Sequence, residues 1–109
     1  MGNWTEEIQR EERVYEPVHP GEVLEQEWLE PLGRTAYQLA KAIRVPRQRM
    51  YAIVRRERAI TADTALRLGR WSGMRPSFFL GLQNSYDLQM AEWRDGKEIG
   101  DTIKPLAKA

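Results

Sequence analysis

At 109 residues with a net charge of +1, the chain has material for one domain and its tails, not for two cores. It has no cysteine and one histidine, His19, which excludes a disulfide framework, a thiolate nucleophile, a zinc-thiolate site and any multi-histidine metal centre. No run approaches the roughly 18 apolar residues that a bilayer span needs and no signal-peptide pattern opens the chain, so a cytoplasmic protein with no membrane role is expected.

The small net charge conceals a strong segregation. Residues 1–33 hold nine acids against two bases, a net −7; residues 34–58 hold eight bases against Glu57 alone, a net +7. The basic middle is an electrostatic footprint for a polyanion, and the acidic front suits a basic partner.

In chain order, residues 1–17 are expected to form an acidic arm, 18–92 the folded domain and 93–109 a C-terminal tail. Trp4, Ile8, Val14 and Tyr15 make the arm too apolar for a purely solvated linker. Pro20 suits the first turn of a helix, where its missing N–H is an orphan anyway, and His19 before it reads as a cap. Val23, Leu24, Trp28 and Leu29 give that helix an apolar stripe, and Pro31 and Gly33 end it. Thr35 caps a second helix running to about Ile43, and Pro46 opens a third ending near Arg55. Thr61 caps a fourth to Ser72, terminated by Gly73.

Pro76 starts a fifth helix, expected to reach roughly Glu92, with two apolar stripes. Phe79, Leu82, Tyr86 and Met90 form one, which closes the core. Phe78, Gly81, Ser85 and Leu88 form the other, which suits pairing with a second subunit, Gly81 permitting close approach. Trp28 and Trp71 are expected in the core, Trp4 and Trp93 in or beside the tails. Ile99 to Pro105 reads as a short strand or an ordered tail.

The second and third helices carry the functional signal. Leu39, Ala40, Ile43, Val45, Met50 and Ile53 are spaced to pack across a tight bend, leaving Arg47, Gln48, Arg49 and Tyr51 outward. Such a pair is what a helix-turn-helix needs to enter a DNA major groove. Arg47, Gln48 and Tyr51 fall where side chains meet base edges: arginine pairs bidentately with guanine, glutamine with adenine. Lys41, Arg44, Arg49, Arg55, Arg56 and Arg58 are placed for backbone phosphates, with Thr35 and Gln38 at the front of the second helix. His19 has no evident catalytic partner, and no enzyme activity, cofactor or metal is expected.

HPGEVLEQEWLEPLG at 19–33, ITADTALRLGRW at 60–71 and PSFFLGLQNSYDL at 76–88 flank this pair in fixed order. Over about residues 18–92 the arrangement resembles the HigA/VapI branch of the XRE (phage-repressor-like) DNA-binding proteins. The resemblance implies an all-α, five-helix, lambda-repressor-like body that forms a homodimer and binds a palindromic double-stranded DNA operator in its own promoter. It further implies neutralisation of a basic ribonuclease toxin of the RelE/HigB type. Operator contacts carry over to Arg47, Gln48, Arg49 and Tyr51, and the acidic arm is the surface whose charge suits such a toxin. A stand-alone XRE-type regulator with no toxin is the alternative; a small basic protein encoded beside this gene separates the two. The chain departs from the family at three places. Arg44 stands in the turn where relatives generally have glycine, Arg56 stands after the reading helix where they often have it, and Arg75 stands where a threonine-like cap is usual.

Overall fold

In the computed structural model, described here for residues 17–107, five helices follow one another and no strand occurs among the described residues. The first, α1, begins at Pro20 with His19 as its N-cap. It runs as α-helix over Pro20–Val23, widens to a π-helical stretch over Leu24–Leu29 and closes with Glu30–Leu32. The wide turns have a cause in Pro31. In a regular α-turn its ring would strike the carbonyl four residues back, and it brings no N–H to bond there. The Glu30 N–H reaches back five residues to the Glu25 carbonyl instead. Gly33, at φ 62°, then turns the chain.

The next two helices, α2 (Ala36–Ile43) and α3 (Arg47–Val54), form the bend, and α4 (Ala62–Ser72) lies beyond them. Thr61 caps α4 by accepting the Thr64 N–H, and Gly73 ends it at φ 79°. The buried set Leu24, Leu29, Leu39, Ala40, Ile43, Met50, Ile53, Ile60, Ala65, Leu68 and Phe79 draws on every helix. Trp28 and Trp71, expected inside, are half-buried. Their rings sit 6.0 Å apart on the edge of the core, too large to be enclosed by so small a body. Val45 is likewise half-buried.

Two contacts fix the scaffold. A side chain at Gly21 would collide with the Ile53 carbonyl, so only glycine lets α1 lie against the end of α3. Gln83 is buried on the last helix, where its Oε1 accepts the Ile60 N–H at 2.8 Å and its Nε2 donates to Asp87 at 2.9 Å. It thereby satisfies a backbone donor in the loop before α4 that would otherwise be stranded.

The last helix, α5, spans Pro76–Thr102, well past the expected end near Glu92. The run from Ile99, read as a short strand or an ordered tail, is therefore helical up to Thr102. Gly96 and Gly100 each weaken a helix by about 1 kcal/mol, but neither stops it. Lys97 pairs with Asp101 at 3.7 Å one turn on, and the Thr102 hydroxyl donates to the Glu98 carbonyl at 2.7 Å. Extended backbone begins only at Ile103, two residues before Pro105. On α5, Phe79 is buried and Leu82, Tyr86 and Met90 are half-buried, whereas Phe78, Gly81, Ser85 and Leu88 are all exposed. Arg75 supplies no side-chain cap to the helix. Among the described residues, no helix is long and apolar enough to cross a membrane.

Candidate nucleic-acid interface

Thr35 and Gln38 lock the start of α2 in a reciprocal box: the Thr35 N–H donates to Gln38 Oε1 at 2.9 Å and the Gln38 N–H to Thr35 Oγ1 at 3.1 Å. Both residues are exposed, and the box uses only the oxygen of the Gln38 amide, leaving its NH2 available as a phosphate donor. At the other end Arg44 adopts the left-handed conformation, φ 59°, and the Val45 N–H closes onto the Ala40 carbonyl at 3.0 Å. Pro46, fixed in an extended conformation, then launches α3 with no side chain over its first N–H groups.

This geometry presents Arg47, Gln48 and Tyr51 together on the solvent side of α3, while Met50 and Ile53 are buried on the other. Tyr51 is steadied by Arg55, whose guanidinium carbon lies 6.0 Å from the ring centroid and whose Nε donates to the Tyr51 carbonyl at 3.4 Å. Lys41, Arg44, Arg55 and Arg58 are exposed around this face.

Arg49 does not belong to the outward set. It lies on the side of α3 turned to α4, half-buried, with Nη1 donating to Asp63 at 2.8 Å. Its buried Nε–H has no hydrogen-bond partner among the described residues, which offsets part of that gain. Asp63 also accepts from Arg67 Nε at 3.1 Å, and Arg67 Nη1 donates to the carbonyls of Ile43 and Arg44 at 3.1 and 3.2 Å. The chain Arg49–Asp63–Arg67 thus ties α3 and α4 to the orphan carbonyls at the bend. Hydrogen bonds from Arg49 and then Arg67 hold the Asp63 carboxyl below the usual carboxylate range. Asp63 and Arg67 went unrecognised in the sequence. Their spacing of four residues shows that they can pair, but nothing local shows that Arg67 reaches a carbonyl 24 residues away.

Arg56 is also engaged: left-handed at φ 67°, it pairs with Glu22 of α1 at 3.0 Å while remaining exposed. His19 caps α1, as the sequence suggested, by accepting the Gly21 N–H on Nδ1 at 2.9 Å. Its ring meets Tyr86 edge-on at 4.8 Å. Burial, then the nearby Arg56 charge, keeps the imidazole below its ordinary value, against the opposing pull of Asp87 and Glu22.

A bihelical corner braced by three further helices, presenting an arginine-led helix start, defines a helix-turn-helix domain of the lambda-repressor-like kind. No family model matches the chain. It is 52% identical over 90 residues to virulence-associated protein I of Dichelobacter nodosus, covering 83% of this chain and 82% of that one. An addiction module antidote protein of the HigA family from Coxiella burnetii superposes with a TM-score of 0.81 at 43% identity, over 84% of this chain and 100% of that one. The Pseudomonas aeruginosa antitoxin HigA, solved with the higBA promoter, gives 0.81 at 40% identity, over 84% and 99%. The chain belongs to the HigA family of helix-turn-helix antitoxins.

Proposed function

We propose that the chain is a cytoplasmic, non-enzymatic antitoxin that binds a palindromic operator in its own promoter and neutralises a basic ribonuclease of the HigB/RelE type. The observation that carries the DNA reading is the start of α3, where Arg47, Gln48 and Tyr51 are exposed together while Arg49 is anchored behind them to Asp63. A base-reading face needs such a backing, because discrimination of about 1–3 kcal/mol per bidentate contact depends on a fixed approach. Lys41, Arg44, Arg55 and Arg58, with Thr35 and the free amide of Gln38, supply phosphate contacts that set register. Arg56 joins them through the donors its Glu22 pair leaves unused.

The exposed stripe Phe78, Gly81, Ser85 and Leu88 pairs two copies, setting their α3 helices about 34 Å apart for successive major grooves. Two relatives support the reading: the Pseudomonas antitoxin is seen with its promoter, and the Coxiella protein is an addiction module antidote. The test is binding to the chain's own upstream DNA and to random duplex across a salt series. Arg47→Ala is expected to lose about 1–3 kcal/mol on the operator and little on random DNA. Arg55→Ala should weaken both alike. Equal losses on both duplexes for both variants would refute the assignment.

A further inference from the structure

A groove of about 430 Å3 lies between the start of α1, the corner after α3 and the middle of α5. Tyr86, Met90 and Trp93 give it an apolar, aromatic wall, and His19 lies among them; Arg56 and Arg94 bring two guanidinium groups. The volume is in the range of ligand clefts. The Trp93 indole is 54% exposed there, an unusual cost for so large an apolar ring. We propose that this groove is the docking site of the chain's own acidic N-terminal segment, residues 1–16.

Three observations favour that occupant. The first is where the chain enters: Pro17 itself lines the groove, so Glu16 and Tyr15 are delivered at its mouth. Residues 1–16 lie outside the described part of the molecule, and the six peptide units from Glu11 to Pro17 extend at most about 21 Å. The stretch from Glu11 onward is thus the part that fills the groove. The second is chemistry. Residues 11–16, Glu-Glu-Arg-Val-Tyr-Glu, set three carboxylates against the one base Arg13, a net −2, on either side of the apolar pair Val14 and Tyr15, and such a segment suits an aromatic wall beside guanidinium groups.

The third is spare donor capacity. Arg56 is seen to spend one contact on Glu22, and Arg94 pairs with Asp95 only at 3.9 Å. A guanidinium carries five N–H donors, so both can still hold carboxylates. A basic toxin is a poor occupant on the same grounds, since it would meet Arg56 and Arg94 as like charges. The docking does not depend on the DNA reading, but it bears on it. Seated there, the segment's carboxylates lie beside the corner carrying Arg55, Arg56 and Arg58 and lower the positive potential offered to phosphate.

The chain has no cysteine, so a single Arg10→Cys substitution in the full-length protein accepts a nitroxide label at one place. The readouts are the Trp93 indole N–H and Met90 methyl signals by NMR. The Ile103 methyl, just past the end of α5 and about 15 Å beyond Trp93 and about 20 Å beyond Met90 along it, is the reference. Docking predicts that Trp93 and Met90 lose more than half their intensity while Ile103 keeps its own. Arg94→Glu, or high salt, should restore them. Undiminished signals would overturn the proposal. So would broadening confined to mixed samples with label and isotope on different chains, which would make the occupant a second copy's segment. Broadening that survives both Arg94→Glu and high salt would overturn the charge basis.

Discussion

Of the four helices in this molecule that end on a left-handed residue, three close with the same pair of hydrogen bonds, built from different residues. The fourth, α4, ends at Gly73 with a bond from Gly73 to Gly69. After α1 the corner is Gly33, φ 62°, with N–H bonds from Gly33 to Glu30 at 3.1 Å and from Arg34 to Leu29 at 2.8 Å. After α2 it is Arg44, φ 59°, with bonds from Arg44 to Lys41 and from Val45 to Ala40. After α3 it is Arg56, φ 67°, with bonds from Arg56 to Ile53 and from Glu57 to Ala52. The hydrogen-bond pattern is the same double closure in each case. Glycine adopts it without steric cost, whereas a side chain there loses about 1 kcal/mol. The strained residues occupy the two corners that bound α3, and both are arginines. The comparison teaches that the corners next to the reading helix hold positive charge at the expense of local stability.

The largest expected effect comes from relaxing both corners. The double variant Arg44→Gly, Arg56→Gly should gain about 1–2 kcal/mol in denaturant unfolding, net of the Glu22 pair lost with Arg56, and bind its operator with a salt slope shallower by about two. Unchanged stability would mean that the corners are not strained. The reciprocal variant, Gly33→Arg, should lose about 1 kcal/mol and leave the salt slope almost unaltered, because it lies at the corner that does not border α3. Smaller still is the difference between the single variants. Arg44→Gly removes no ion pair among the described residues, since Arg67 grips the backbone carbonyl at 44 and not the side chain. Arg56→Gly also loses the partly exposed Glu22 pair, worth about 0–1 kcal/mol. The gain at 44 should therefore exceed the gain at 56 in parallel melts.

Much of this arrangement was legible because its signals are local. Thr35, Pro46, Thr61, Gly73 and Pro76 mark helix ends through chemistry that acts within one turn, and each sits where the structure begins or ends an element. The outward position of Arg47, Gln48 and Tyr51 followed from helical period alone. Arg49 was misplaced because its partner, Asp63, lies on another helix, 14 residues on. Gln83 was missed for the same reason: polar residues on an apolar helix reveal nothing about a stranded N–H elsewhere. The overrun of α5 past Glu92 reflects a different weakness. Gly96 and Gly100 lower the local helix propensity, yet a helix already nucleated and supported by side-chain bonds absorbs them.

The last and smallest test joins Arg56 to His19. His19 titrates below its ordinary value of 6.5 in the folded protein, through burial first and the Arg56 charge second. As pH falls through 6.5 the unfolded chain takes up the proton before the folded one does, so stability present above that pH is progressively lost until the folded imidazole also protonates. Guanidinium titrations between about pH 8 and pH 5 should show this decline. Replacing Arg56 by glycine removes the second cause and leaves the first, so the decline should become shallower without vanishing. His19→Asn, which keeps a side-chain acceptor for the Gly21 N–H, should remove the imidazole's contribution altogether. The acid-side loss belonging to Asp63 remains in every variant, because its carboxyl is held below the carboxylate range and gives up stability only as pH falls through that lower region. If Arg56→Gly left the decline near neutral pH unaltered, the Arg56 corner would act on phosphate alone and not on the cap of α1.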